Sequence, residues 1–156
     1  LNAGGRALRA LTVAAETKQT TLPGDTIERA QNEIFSSDAS LTYTIVARGG
    51  NVSLKYFGAQ ENRAGVTAHP WGKNTFYAGA FITSGRTGNR TASPKLGGHI
   101  YRNVAGGKWG GSIQKVKSGL FIPTELTRGA TAAAFNKGAA SVLRSAVISR
   151  LGGLMP

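Results

Sequence analysis

Few side chains in this sequence have the types and spacing that catalysis or metal binding requires. Imidazole, thiolate and carboxylate groups hold metal ions when several converge, but the chain has two histidines, His69 and His99, and no cysteine. Paired carboxylates for acid–base catalysis are also poorly supplied, because Glu125 is the only acid after Glu61. A serine–histidine–aspartate arrangement stays open, since distant residues can converge, although no Gly-x-Ser-x-Gly segment marks an activated serine. The sequence therefore predicts no enzyme, no metal site and no cofactor.

Two short segments place a lysine close to a tryptophan, Trp71-Gly72-Lys73 and Lys108-Trp109-Gly110. Lysine can contact phosphate, and tryptophan can stack on the bases of single-stranded nucleic acid. The alternative, which we favour, is that each tryptophan packs in a sheet or at a subunit boundary while the lysine stays in solvent. No motif for reading a nucleotide sequence accompanies them.

The net charge of +12 is unevenly distributed along the chain. Residues 1–61 carry six basic and six acidic groups, whereas residues 62–156 carry thirteen basic groups and one acid. Such a field attracts a polyanion or an acidic protein surface over long range, and salt weakens the attraction. The second part of the chain is therefore expected to face a negatively charged partner.

The length of 156 residues predicts one domain, which would bury about two-thirds of the surface that the unfolded chain exposes. A hydrophobic content of 40% is sufficient for a packed core. No apolar run approaches the roughly 20 residues that cross a bilayer, and no signal-peptide pattern opens the sequence. We therefore expect a soluble intracellular product that makes no contact with a membrane.

The first part of the chain, residues 1–38, is expected to be helical. Leu8, Leu11 and Ala15 recur at helical spacing in an alanine-rich segment over residues 3–17. After the break at Pro23-Gly24, Asp25 is suited to cap a second helix with Glu28 completing a capping box, so that this helix would run to about Phe35.

Residues 41–118 are expected to be rich in strands. Alternation of apolar and polar residues predicts a first strand from Leu41 and a second from Val52, joined by Gly49-Gly50-Asn51 as a hairpin. Residues 84–97 have no regular apolar period and are predicted to be a long exposed loop. Strands are predicted over five segments: residues 41–47, 52–56, 75–83, 99–104 and 112–117.

A long helix is predicted over residues 124–151, with Pro123 ending the preceding strand and Thr124 or Thr127 as its cap. The predicted fold class is thus α+β. It combines N-terminal helices, a mainly antiparallel sheet of four to six strands, and the long C-terminal helix packed on that sheet.

The order of aromatic and glycine residues between positions 53 and 82 resembles a known family. A strand that ends in Phe57-Gly58-Ala59 leads through Gly65-Val66 to Trp71-Gly72 and then to Gly79-Ala80-Phe81-Ile82. The resemblance resumes over residues 113–126, where a strand meets an Ile122-Pro123 step. In this order the segments resemble the phage minor tail protein Z family and its relatives among tail-completion and neck proteins.

This resemblance implies a structural virion protein of a tailed phage or prophage that completes the tail and forms part of the head-to-tail junction. It implies a homo-oligomeric six-fold ring around the DNA channel, in contact with the tail tube, tail terminator, stopper or portal adaptor. The protein would be located in the tail or neck of the virion, and in the host cytoplasm during assembly. The expected subunit and partner contacts are Phe57, Gly58, Trp71, Phe76, Tyr77, Phe81, Ile122 and Pro123.

The basic part of the chain has two candidate partners under this interpretation, genomic DNA in the channel or an acidic face of a neck protein. The residues expected to make these contacts are Lys73, Arg86, Arg90 and Lys95. An alternative function from another class is a free-standing nucleic-acid-binding protein without sequence preference, which charge and exposed loops permit.

Overall fold

A computed structural model of the chain describes residues 1–82, 97–104 and 112–152. The residues group into two compact units. The first, which we call the helical unit, contains residues 1–50 and the chain from residue 121 onward; the second, the strand unit, contains Asn51–Leu120. The single domain expected from the length of the chain stays a prediction.

The helical unit is built around two long helices that pack along each other, α1 (Asn2–Thr20) and α4 (Gly129–Gly152). Gly138 of α4 lies against Leu8 and Leu11 of α1, and a Cβ atom at Gly138 would lie 3.0 and 3.1 Å from their Cδ1 atoms. Glycine at this position therefore permits the close approach of the two helices. The described elements of this unit are α1 (Asn2–Thr20), α2 (Gly24–Ala30), β1 (Gln31–Ile34), β2 (Thr44–Ala47), α3 (Ile122–Leu126) and α4 (Gly129–Gly152).

The first helix buries a different face from the one predicted. Leu8 is buried as expected, but Leu11 is 46% exposed. The buried side of α1 instead includes three polar side chains, Thr12, Glu16 and Thr20. In an alanine-rich helix the apolar stripe is a weak guide, because alanine is tolerated on either side.

The second helix is shorter than predicted and begins differently. It ends at Ala30, and the next four residues form β1, which pairs antiparallel with β2 from Gln31 opposite Ala47 to Ile34 opposite Thr44. The predicted capping box is wrong, because Pro23 is the N-cap and makes no side-chain cap hydrogen bond. The fixed φ of proline suits it to start a helix, which places Asp25 in the first turn, where it pairs with Arg29 at 2.5 Å.

Within the described residues, the strand unit contains three small sheets: β3 (Asn51–Ser53) with β10 (Lys117–Phe121); β4 (Gln60–Glu61) with β5 (Gly65–Ala68) and β6 (Thr75–Ala78); and β7 (Ala80–Ile82) with β8 (Ile100–Asn103) and β9 (Ile113–Lys115). The last two are antiparallel, and the predicted pairing of residues 99–104 with 112–117 is confirmed by β8 and β9. The core of this unit includes Leu54, Val66, Ile100 and Leu120. The described elements are β3 (Asn51–Ser53), a 3₁₀ turn (Leu54–Tyr56), β4 (Gln60–Glu61), β5 (Gly65–Ala68), a second 3₁₀ turn (Pro70–Gly72), β6 (Thr75–Ala78), β7 (Ala80–Ile82), β8 (Ile100–Asn103), β9 (Ile113–Lys115) and β10 (Lys117–Phe121).

Three of the predicted strand arrangements are wrong. The strand predicted over residues 52–56 ends at Ser53, because Leu54–Tyr56 form a 3₁₀ turn. The predicted hairpin does not form, since β2 pairs with β1 while β3 pairs with β10, where the Ser118 hydroxyl donates to the Val52 carbonyl oxygen at 2.7 Å. The predicted strand over residues 75–83 is divided at Gly79, whose φ of 65° turns the chain from one sheet into the next. An alternating pattern identifies a strand but does not choose its partner.

The predicted C-terminal helix is divided into α3 and α4. Gly129 begins α4 with a φ of 60°, and α3 begins at Ile122 with Pro123 in its first turn. The α+β class is confirmed, with the strands divided among four small sheets instead of one. The long helix is present, and its most extensive packing is on α1. None of the helices in the described ranges combines the length and apolar character that crossing a bilayer requires.

Candidate functional site

Two of the predicted contact residues in the strand unit, Phe57 and Gly58, lie where the chain turns from the first 3₁₀ turn toward β4. Phe57 is only 3% exposed, so its ring is part of the core of this unit. Its carbonyl oxygen accepts a hydrogen bond from the His69 backbone N–H at 3.0 Å. Gly58 is exposed and has a φ of 60°, which favours glycine. These two residues shape the turn, and a direct contact of Phe57 with a partner stays a prediction.

The outer face of the sheet β4-β5-β6 carries an exposed aromatic ring. Phe76 is 50% exposed and lies opposite Thr67, which in turn lies opposite Gln60. On the other face Tyr77 lies opposite the fully buried Val66, and burial raises the pKa of its phenol. Among the described strands, β6 pairs only with β5 and is an edge. Phe76 is thus an apolar ring on a strand that has one free side within the described residues.

Trp71 is held in an unusual backbone conformation before this edge strand. Its φ of 53° and ψ of 30° lie in the left-handed region, which a large side chain rarely adopts. Its indole is half-exposed, and a Cβ atom at Gly119 would lie 3.9 Å from its Cη2 atom. The conformation costs about 1–3 kcal/mol, so the surrounding structure must hold Trp71 in place. Lys73, two residues later, is exposed.

The sheet β7-β8-β9 carries a second row of large side chains. Phe81 lies opposite Tyr101, and Tyr101 lies opposite Lys115. The rings of Phe81 and Tyr101 are stacked with centroids 6.5 Å apart and planes inclined by 30°. All three side chains are half-buried, whereas Ala80 and Ile100 of the same strands are fully buried. We call Phe81, Tyr101 and Lys115 the aromatic–lysine row.

A serine and a histidine meet at the start of β8. Ser53 Oγ and His99 Nδ1 are hydrogen-bonded at 2.7 Å. Burial lowers the pKa of His99, and the positive charges of Lys115 and Lys55 lower it further. An imidazole beside a hydroxyl can accept its proton, but Ser53 is buried. The bond therefore ties β3 to the residue before β8, and the absence of enzymatic activity stays a prediction.

The remaining predicted contacts, Ile122 and Pro123, belong to the helical unit. Ile122 is buried and Pro123 is half-buried at the start of α3. Ile122 is thus a core residue of its own unit, and its contact with a neighbouring subunit stays a prediction. Arg86, Arg90 and Lys95 lie outside the described residues.

The helical unit contains a buried polar cluster that the sequence did not indicate. Glu16 is fully buried, and its Oε2 atom accepts a hydrogen bond from Gln31 Nε2 at 3.0 Å. Within the described residues, Glu16 Oε1 and Gln31 Oε1 have no hydrogen-bond partner. Burial raises the pKa of Glu16 to about 7, the Gln31 hydrogen bond opposes this shift, and the charge of Glu125 adds to it. The carboxyl group is therefore expected to keep its proton up to about pH 7, above the range in which a glutamate usually titrates.

Glu125, the only acid in the second part of the chain, is a structural residue in this cluster. It is buried, it pairs with Arg128, and its Oε2 atom accepts a hydrogen bond from Gln19 Nε2 at 2.7 Å. Gln19 Oε1 accepts in turn from the Thr131 backbone N–H at 2.9 Å. These bonds join α1 to α3 and α4. In the described part of the chain, no three histidines or acids come close enough together to hold a metal ion.

Charge distinguishes the two units. The strand unit contains ten Lys and Arg residues and a single acid, Glu61, a surplus of nine. The Oε2 atom of Glu61 accepts a hydrogen bond from the Ile82 backbone N–H at 2.9 Å and so links β4 to β7. The helical unit has nine basic and six acidic residues, a surplus of three. The expected attraction of a negatively charged partner therefore belongs mainly to the strand unit.

Comparison of the chain with protein-family models, with curated proteins and with solved structures found no match.

Proposed function

We propose that this chain is a structural protein of a tailed phage or prophage particle, which completes the tail and forms part of the head-to-tail junction. Phe76 is the observation that carries the proposal, because its half-exposed ring lies on an edge strand of the described sheet. An aromatic ring at such an edge is suited to contact with another chain. The order of Phe57-Gly58, Trp71-Gly72 and Gly79-Ala80-Phe81 supplies the resemblance to tail-completion proteins.

The proposed mechanism is geometric and involves no reaction. Each copy contacts the next through two different surfaces, and such head-to-tail contacts close into a ring when the rotation fits, here a six-fold ring around the DNA channel. The free side of β6 would accept backbone hydrogen bonds from the neighbour, while Phe76 enters an apolar site on it.

The charge of the strand unit suits the partners that this role requires. A surplus of nine positive charges attracts an acidic surface on the tail tube, tail terminator, stopper or portal adaptor. Genomic DNA in the channel is the other anionic partner, and DNA must pass, so contacts to it are transient. The protein would act in the tail or neck of the virion after assembly in the host cytoplasm.

Replacing Phe76 with serine is expected to separate heads from tails. An aromatic anchor at the centre of a contact contributes about 2 kcal/mol or more, and the loss recurs at every contact in a ring. Particles made with the Phe76→Ser protein should show free heads and tails by electron microscopy, and the yield of infectious particles should fall by roughly tenfold or more. Because the ring is half-exposed, the variant should keep its thermal unfolding midpoint within a few degrees.

The matched control is Phe135→Ser, which removes an exposed phenylalanine from α4 of the helical unit. This variant should give joined virions at the normal yield. Joined virions at the normal yield from Phe76→Ser would reject Phe76 as the contact. Normal virions made with no copy of the protein at all would reject the proposed role itself.

A further inference from the structure

The aromatic–lysine row of the strand unit has the geometry of a stacking platform. Phe81, Tyr101 and Lys115 follow one another across three hydrogen-bonded strands, at directly opposed register positions. Side chains at such positions lie on the same face of a sheet and about one strand spacing apart. The row therefore presents two flat rings and one ammonium group in a line.

The row is held in place by the buried residues of the same strands. Ala80 and Ile100, which alternate with Phe81 and Tyr101 along β7 and β8, are almost inaccessible to solvent. Glu61 further fixes β7 through its hydrogen bond with the Ile82 backbone N–H. The rings of Phe81 and Tyr101 are already stacked with each other, and both are half-buried, so each keeps part of its surface in solvent. A ligand that stacks on such rings would find them already ordered, which reduces the cost of binding.

Two positively charged side chains belong to the row or to the chain that leads into it. Lys115 belongs to the row, and Lys55 is exposed with its Nζ atom 3.4 Å from the Gly97 carbonyl oxygen. Lys55 thus contacts the chain at Gly97, shortly before Tyr101, and the charges of Lys115 and Lys55 both lower the pKa of His99, which lies between these two positions. The sole acid of this unit, Glu61, is occupied by the Ile82 backbone N–H. An anion that approaches the row therefore meets two lysines.

We propose that the aromatic–lysine row binds a single-stranded segment of nucleic acid, whose bases stack on Phe81 and Tyr101 while its phosphates contact Lys115 and Lys55. Bases of any identity can stack on an aromatic ring, so the site would have little sequence preference. In a duplex the base faces are already covered by neighbouring base pairs, so a duplex would contact only the lysines. An acidic peptide would pair with the lysines and leave both rings without a partner.

This proposal does not depend on the assembly role. It concerns a different sheet from the one that carries Phe76, and it assigns Phe81 to a nucleic-acid site instead of a subunit contact. It also differs from the DNA contact expected at Lys73, which precedes β6. Failure of either proposal leaves the other one in place.

The test is a fluorescence anisotropy titration of the full chain with a labelled oligothymidine of about ten nucleotides, a length typical of single-strand grooves. Tyr101→Leu and Phe81→Leu keep an apolar side chain and remove the ring, and each should weaken binding roughly tenfold. Lys115→Gln should lower the slope of log affinity against log salt by about 0.7, measured between about 50 and 200 mM salt. The ring variants should leave that slope unchanged.

Matched controls come from the same unit. Phe76→Leu changes an exposed ring on the other sheet, and Lys117→Gln changes an exposed lysine of β10 outside the row. The first control should leave both the affinity and the salt slope as they are in the unchanged protein. The second should change either quantity less than Lys115→Gln does.

A measurement on the unchanged protein tests the proposal even if the variants do not fold. Stacking on the two rings should move the base protons of the oligonucleotide upfield in the proton NMR spectrum. An oligouridine of the same length compares RNA with DNA, and tight binding of either strand supports the proposal. No binding of either at the lowest salt, equal affinity for a duplex of the same length, or displacement of the strand by an equal charge of polyglutamate would overturn it.

Discussion

Replacing Glu16 with glutamine is expected to raise the free energy of unfolding by about 3 kcal/mol above pH 7 and to change it little below pH 4.5. The carboxyl group is fully buried between α1 and its neighbours. Burial is the main cause that raises its pKa from 4.5 to about 7, and the nearby charge of Glu125 raises it further. Glutamine has the same shape and no charge at any pH.

The sign of the effect follows from proton binding. Below pH 4.5 the group is protonated in both the folded and the unfolded chain. Glu16 then carries no buried charge, and the folded protein has its full stability. Between pH 4.5 and 7 the unfolded chain releases the proton while the folded chain keeps it, and stability falls as the pH rises. Above pH 7 the native protein contains a buried carboxylate, which glutamine avoids. The amide at position 16 can also donate to Gln31 Oε1, which has no partner within the described residues.

Urea unfolding at pH values on both sides of this range measures the difference between Glu16→Gln and the unchanged protein. Glu28→Gln is the matched control, because Glu28 is an exposed glutamate on the adjacent helix α2. The free energy of unfolding of Glu28→Gln should differ little from that of the unchanged protein at every pH. If the Glu16→Gln difference is instead the same at high and low pH, Glu16 titrates like a surface carboxylate and the buried cluster does not control stability.

Local signals in the sequence were sufficient to find the helices and some of the strands, but they did not predict β1, β4 or β5. The alanine-rich segment predicts α1, alternation predicts β2, and Pro23-Gly24 marks the start of α2. Each of these signals depends on residues that are neighbours in the chain. Strand partners depend on residues far apart, so the pairing of β3 with β10 could not be inferred from the turn after β2.

The candidate sites also combine residues that local signals could find with residues that they could not. Phe81 was predictable as a strand residue of a contact surface, but its row needs Tyr101 and Lys115, which come from two other strands. Glu16 was missed for a different reason. Its helix was expected to bury an apolar stripe, whereas tertiary packing buries Thr12 and Glu16 and places Gln31 against the carboxylate. A polar face that becomes buried leaves no periodic signal in the sequence.

Gly65 gives the second large expected effect, because alanine at this position should destabilise the strand unit by about 3 kcal/mol. Gly65 lies opposite Ala78 where β5 pairs with β6. A Cβ atom there would collide with the Tyr77 carbonyl oxygen and lie 3.1 Å from the Ala78 Cα atom. Both obstacles are backbone atoms, so no side-chain rotation relieves the overlap and the two strands must separate.

Thermal and urea unfolding of Gly65→Ala measure this loss, and Gly50→Ala is the control. Gly50 is exposed, and a Cβ atom there would meet no atom within 4 Å, so its replacement should change stability by about 0.5 kcal/mol or less. Since β6 carries Phe76, Gly65→Ala should also reduce the yield of joined virions through the displaced strand. An unfolding midpoint equal to that of the unchanged protein would contradict the close approach of β5 and β6. The Gly-Val pair on which the family resemblance partly depends would then need an explanation other than strand packing.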